Sequence, residues 1–204
     1  MRHSSGLFLL CALTLLAGCA ELSKGEPTTW YAAHGGVAPR EMGRVVVCHG
    51  FGCHRKTAFT FGPADIARMK KLVGNGSAED ERAGVRRMIA WAETRVAPTV
   101  GSEDDVGGLD LRNSGVVGQM DCIDEATNTT SYLMVAQEAG LLKHHRVGSP
   151  VSRGYFLDLR YPHATAVLLG EDEAWAIDSW PAANGVPPDV MPLDTWFAQS
   201  PARP

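Results

Sequence analysis

Three residue types that together perform thiol-based acyl transfer recur in this chain at separated positions: a cysteine at Cys122, a histidine at His163 and an aspartate at Asp178. Cys122 follows the turn formers Asn113, Ser114, Gly115 and Gly118. It precedes a helical stripe of Ile123, Ala126, Thr130, Leu133, Met134 and Ala136 that runs to Gly140. A thiol at such a helix N-terminus meets unpaired N–H groups and the positive end of the macrodipole, which favour the thiolate. Its other reading is a buried structural cysteine. His163 opens the apolar run His163-Ala-Thr-Ala-Val-Leu-Leu169, and Asp178 closes Glu173-Ala-Trp-Ala-Ile-Asp-Ser179. With Gly170 as the first central residue of a two-residue type II′ turn, Leu169 faces Asp172 and His163 lies directly opposite Asp178. A carboxylate there would fix the tautomer of the imidazole, giving nucleophile, base and orienter. Gln119, three residues before the cysteine, could donate a side-chain N–H to a developing oxyanion beside the backbone N–H of Cys122.

The rest of the chain has to hold these groups in place. Arg44-Val-Val-Val47 and Thr57-Ala-Phe-Thr-Phe61 flank a glycine-rich turn, and Cys48 and Cys53 stand where a hairpin brings their Cβ atoms within bridging distance. Pro63 suits the first position of a helix that carries Ile66, Met69 and Leu72-Val73 and ends at Gly74. Ser77 is an N-cap for a second helix running to Pro98, with Glu79, Asp80 and Glu81 in its first turn. Thr99 to Gly118 is a long polar loop leading to the cysteine, and loops of that length are often functional. His144 and His145 are adjacent, point in different directions on any regular element, and read as solvated; no metal site is expected. Tyr155 to Leu159 is a further strand candidate, and the proline-rich stretch after Pro181 is expected to wrap the domain rather than build it.

The chain has 204 residues, 45% hydrophobic and 21% charged, which suits one catalytic-size domain, and its net charge of −4 with no basic stripe argues against nucleic acid as a partner. The N-terminus reads as an export signal: Arg2 and His3, the apolar run Leu7 to Leu16, then Leu16-Ala-Gly-Cys19. That run is too short to span a bilayer. Leu-Ala-Gly-Cys resembles a bacterial lipobox, which implies removal of residues 1–18, lipidation of Cys19 and a tether over 19–43 that lifts the domain from the membrane. Ala20 resembles the signal for outer-membrane sorting, so the location expected is the cell envelope, lipid-anchored and facing the periplasm. In that oxidising compartment Cys48 and Cys53 pair and Cys122 is left free.

A cysteine at a helix start, His-Ala-x-x-x-Val on a strand and Trp-x-x-Asp on the next resemble the bacterial transglutaminase-like cysteine peptidases of the papain-like clan. The likeness covers about residues 118–180. It implies an α+β papain-like fold over 44–204, with N-terminal helices and the cysteine helix packed on an antiparallel sheet. It also implies Cys122 as nucleophile, His163 as general base and Asp178 as its orienter, with a peptide or protein substrate and no cofactor. Met120, Asp121 and Ile123 surround the cysteine where the family often has an aromatic, and Thr165 follows the histidine where another is common. Amide hydrolysis therefore fits better than protein cross-linking. Competing readings are a non-catalytic envelope binding module on the same fold, a cell-wall endopeptidase, and haem attachment at Cys48-x-x-x-x-Cys53-His54.

Overall fold

Asp121 is extended, and its carboxylate accepts hydrogen bonds from the backbone N–H groups of Ile123 and Asp124, while the Asp124 carboxylate reaches back to the N–H of Asp121. This reciprocal cap satisfies donors that a helix start leaves orphaned, so the helix begins at Cys122. The computed structural model describes residues 23–108, 111–154 and 162–199. In chain order the elements are α1 Thr28–Ala33, β1 Arg44–His49, β2 Arg55–Thr60, α2 Pro63–Val73, α3 Ala78–Val100, α4 Cys122–Glu138, β3 Arg146–Val147, β4 Val151–Arg153, β5 His163–Leu169, β6 Ala174–Asp178, β7 Asp189–Pro192 and α5 Leu193–Ala198. The fold is mixed α+β with antiparallel sheets.

β5 is the centre of the larger sheet. β6 and then β7 add on one side, while β3 and β4 pair with the two ends of β5 on the other. All seven β5 residues are buried because both faces are covered. Ala166, Leu168 and Ile177 pack with α4, α3, α2 and the β1–β2 hairpin in the main core, where Met69, Met88, Ile89, Tyr132 and Leu133 are closed to solvent. Val167, Leu169 and Ala176 pack on the opposite face against Leu193 and Trp196.

The hairpin of β1 and β2 forms as its glycine-rich turn predicts, and the Cys48–Cys53 disulfide closes that turn. α2 and α3 also form, although α3 runs two residues past Pro98 to end on left-handed Gly101. A proline in the last turn removes only one helical bond, to the Thr94 carbonyl, so the helix survives it.

Several expectations are corrected. β5 and β6 pair as Leu169↔Ala174 and Ala166↔Ile177, so the connection is the four residues Gly170 to Glu173, with the Gly170 N–H on the Glu173 carbonyl at 2.9 Å. Gly170 does not adopt the positive φ that a type II′ turn requires. The register differs by two residues from the one the turn implied. An even slip preserves the face, so His163 and Asp178 are diagonal neighbours rather than direct opposites.

The segment read as a tether is packed. Trp30 and Tyr31 are buried on α4, with the indole N–H on Thr127 Oγ1 at 2.9 Å and the Tyr31 hydroxyl on Ser131 Oγ at 2.8 Å. Two large aromatics bury too much apolar surface to stay in water beside a groove that fits them. His145 is buried rather than solvated: its Nδ1 is 2.8 Å from Glu81 Oε1, and Arg82 meets its Nε2. The C-terminal stretch builds as well as wraps, supplying β7 and the fully buried Trp196. The strand proposed over Tyr155 to Leu159, and the signal and lipidation residues up to Cys19, lie outside the described residues.

Candidate active site

His163 stands at the start of β5 and Asp178 at the end of β6, and both are buried. His163 Nε2 is 2.6 Å from Asp178 Oδ2. An ionised carboxylate can only accept, so the ring donates through Nε2–H and its other nitrogen, Nδ1, is turned away from the pair. Nδ1 is itself buried and has no hydrogen-bond partner. A second donor reaches the carboxylate: the Trp196 indole N–H bonds Oδ2 at 2.8 Å. The imidazole contacts two indoles, both at a tilt, 4.6 Å from the Trp180 ring and 5.4 Å from that of Trp196.

Cys122 is the free cysteine among the described residues. Its Sγ rests against the strand that carries the base, 3.9 Å from the Pro162 carbonyl and within reach of the Ala164 N–H. It shares a buried cluster with Trp30, Ala126, Ala164 and Trp180. Thiol and imidazole therefore meet the same short stretch, residues 162–164, but Sγ is not hydrogen-bonded to Nδ1. Trp180 spans the two, packing in the thiol's cluster and tilting over the imidazole.

The depressed thiol pKa expected from the helix N-terminus is overturned. Burial pushes the Cys122 thiol up to about 12, and the negative charges of Asp121 and Asp178 add to the rise. The Ala164 N–H and the cysteine's own N–H oppose it without prevailing. The macrodipole is a half-charge effect confined to the first turn, and here the capping Asp121 sits within that turn. Desolvation of the thiolate outweighs it.

Gln119 belongs to the scaffold. Its Nε2 donates to the Asp104 carbonyl at 2.8 Å, and its Oε1 accepts from Asn113 Nδ2 at 3.0 Å and from the Val106 N–H at 3.3 Å. The side chain proposed as an oxyanion donor ties the long loop to the entrance of α4 instead. The same entrance is clamped by the disulfide turn, where Phe51 and Cys53 donate their N–H groups to Asp124 and Gly52 donates to Asp121. Asn128 completes the clamp by bonding both the N–H and the carbonyl of Cys48. Gly118 holds φ +84, and a Cβ there would overlap the Gly101 carbonyl, so only glycine fits the last bend before the cysteine. His49 Nδ1 accepts the Gly118 N–H at 3.1 Å. Sequence reasoning missed Trp30, Trp180, Trp196 and Asn128, whose partners lie far away in the chain. It also passed over the Asp121-x-x-Asp124 spacing, which does announce a capped start.

Glu125 of α4 belongs to a set of buried carboxylates with Glu93 and Asp105. Burial raises Glu93 to about 8 and Asp105 to about 7, and pushes Glu125 well above the ordinary range, with mutual repulsion adding to each except Asp105. Glu93 accepts the Gly185 N–H at 3.0 Å, and Asp105 accepts the Met120 N–H at 2.8 Å, so these acids also anchor the loops beside the site. Acids whose folded pKa is raised contribute stability that is fully present below the ordinary carboxyl range and is lost as pH rises through their folded values. The melting temperature is therefore expected to fall between pH 6 and pH 9. Glu93→Gln, which keeps an acceptor for Gly185 and carries no charge, should reduce that fall by about 5 °C. Calorimetric melts of both proteins at the two pH values check it, and parallel slopes would count against buried ionisation at Glu93.

Comparison of the chain with protein-family models, with curated proteins and with solved structures gives no match. What it can do must therefore be argued from the site. Cys48, Cys53 and Asp124 are the one group among the described residues whose ligand atoms converge, but both sulfurs are held in the disulfide and cannot ligate a metal or form thioethers to haem. The haem reading is thereby dropped.

Proposed function

We propose that this protein is a thiol hydrolase or acyltransferase acting on peptide or isopeptide amides, of the transglutaminase-like papain-clan type, with Cys122 as nucleophile, His163 as base and Asp178 as orienter. The observation that carries the reading is the buried His163–Asp178 pair at 2.6 Å, with Nδ1 buried and unpartnered beside the strand that touches the only free thiol among the described residues. A native fold rarely leaves a buried ring nitrogen without a partner, and an unmet one is accounted for if it receives a proton during a reaction.

The raised thiol pKa shapes the mechanism. Cys122 rests as S–H, so its proton passes to His163 Nδ1 as Sγ attacks the carbonyl carbon, rather than residing there beforehand. The imidazolium that forms is stabilised by Asp178, and the backbone N–H of Cys122 faces the developing oxyanion. Collapse of the tetrahedral intermediate breaks the C–N bond, and Nδ1 returns the proton to the leaving amine. The remaining thioester is attacked by water or by a second amine, which yields its proton to Nδ1, and the thiol leaves reprotonated. The contact between Nδ1 and Sγ has to form on substrate binding, with movement of the indoles that cover the thiol.

A non-catalytic binding module is favoured by one observation, the burial that raises the thiol to about 12. A peptidyl vinyl sulfone separates the two. An enzyme labels Cys122 in the wild type at least about a hundredfold faster than a small alkylating agent of equal intrinsic reactivity, because the peptide seats itself at the site. Equal rates for the two reagents would support the module.

The envelope location follows from the lipobox-like Leu16-Ala-Gly-Cys19, and no helix among the described residues is long and apolar enough to cross a membrane. Ser23 is buried and accepts the Ser149 N–H at 3.0 Å, so a lipid on Cys19 would hold the domain within about 14 Å of the bilayer surface. Cys19→Ser is expected to move the protein from the membrane to the soluble fraction with an unchanged melting temperature. Membrane retention of that variant in high salt would show a different anchor.

A further inference from the structure

Asp178 is a carboxylate whose two oxygens are used unequally. Oδ2 takes both the His163 Nε2–H at 2.6 Å and the Trp196 Nε1–H at 2.8 Å, whereas Oδ1 is buried without a partner. With one donor alone the carboxylate could turn about its Cβ–Cγ bond and still satisfy that donor. Two donors from different elements that meet on one oxygen fix where that oxygen lies against the ring, leaving only the half-turn that exchanges two equivalent oxygens. Trp196 is suited to the task. It is fully buried, its ring meets Phe197 edge-on at 5.2 Å, and the Arg153 guanidinium lies 4.2 Å over its face. Arg153 is the β4 residue paired across the strands with His163 of β5, and Asp189 of β7 pairs with Asp178 of β6, so the register of these four strands brings α5 back to the site. α5 has only six residues and no side-chain cap at Pro192, so docking rather than its own helicity holds it in place.

We propose that Trp196 is a positioning residue for the base: its indole N–H locks Asp178 Oδ2 on His163 Nε2 and so keeps Nδ1 as the bare, proton-accepting nitrogen. This rests on the reading of His163 as the base that serves Cys122. The alternative role of a buried tryptophan is packing, with the N–H satisfied by whatever acceptor is near.

The test uses the whole chain labelled with 15N-histidine, in the wild type, in Trp196→Phe, and with 3-benzothienylalanine at 196, which replaces the N–H by sulfur and keeps the ring's shape. Two quantities are measured: the tautomer of His163 from its 15N–1H couplings, and the rate of Cys122 alkylation at pH 7. In the wild type the Nε2–H form is expected. In the sulfur isostere an Nδ1–H population appears and alkylation slows by about fivefold, in keeping with loss of a hydrogen bond to a charged group. The isostere keeps the proposal testable if Trp196→Phe does not fold. An isostere with the wild-type tautomer and rate, whatever its melting temperature, overturns the proposal and leaves Trp196 as packing. A wild type already in the Nδ1–H form overturns the assignment of His163 as base, and the proposal with it, so the two failures give different spectra.

Discussion

His163→Ala is expected to reduce turnover of a peptide substrate at pH 7 by about a hundredfold or more, the usual contribution of a positioned general base. The size of the effect follows from the state of the thiol. With Cys122 raised to about 12 by burial, almost no thiolate exists at neutral pH, and the proton must be taken during attack. Removing the imidazole removes the buried ring nitrogen, paired with Asp178 and packed on Trp180, that would accept it. The variant also leaves Asp178 buried with the Trp196 N–H as its remaining donor, so a loss of about 1–3 kcal/mol in stability should accompany the kinetic effect. Temperature separates the two consequences: the kinetic loss should persist well below both melting points, where each protein is fully folded, and the stability loss should appear only in the melts. Equal rates of Cys122 alkylation in the two proteins at every pH would mean that thiol and imidazole are uncoupled, and the binding-module reading would then hold.

Trp30→Ala is expected to act in the opposite direction on the thiol itself. Trp30 belongs to the buried cluster around Cys122 and is fastened to Thr127, one and a half turns further along the same helix. Opening that cluster to water relieves the desolvation that raises the thiol. Each unit by which the thiol pKa falls toward its unperturbed value of about 8.5 multiplies the thiolate fraction by about ten. Alkylation by iodoacetamide at pH 8 should therefore speed up by about tenfold or more. Tyr31→Phe, which loses the bond to Ser131 and keeps the ring, should give a smaller rise in the same direction. If Trp30→Ala destabilises α1 and yet leaves the alkylation rate unchanged, the burial of Cys122 comes from Trp180 and the strand alone. A tenfold rise would instead make the segment that carries Trp30 a cover over the thiol.

The parts of this protein legible in the sequence are those that depend on local chemistry. Asn, Ser and Gly before Cys122 and an apolar stripe after it place the helix start within a residue, because caps and periodicity are decided by neighbours along the chain. The glycine-rich turn between the runs Arg44 to Val47 and Thr57 to Phe61 located the β1–β2 hairpin and its disulfide for the same reason. His163 and Asp178 were placed on one face of adjacent strands, and they are, though through a register two residues from the one the assumed turn implied. That outcome survived because face depends on parity, and an even slip does not change it.

Tertiary structure alone decided everything that depends on what arrives from elsewhere in the chain. The stretch Glu21 to Arg40, rich in Gly, Pro, Thr and Ala and with little periodicity, suggested a tether, yet Trp30 and Tyr31 find a groove on α4 nearly a hundred residues away and bury there. Trp196 reached Asp178 only because β7 returns antiparallel to β6. The reactivity of Cys122 turned on the same kind of fact. A helix N-terminus is visible in sequence and argues for a thiolate, but its pull is a fraction of a charge. The cost of desolvating a thiolate among Trp30, Ala126, Ala164 and Trp180 is larger, and it exists only once distant segments have closed over the sulfur.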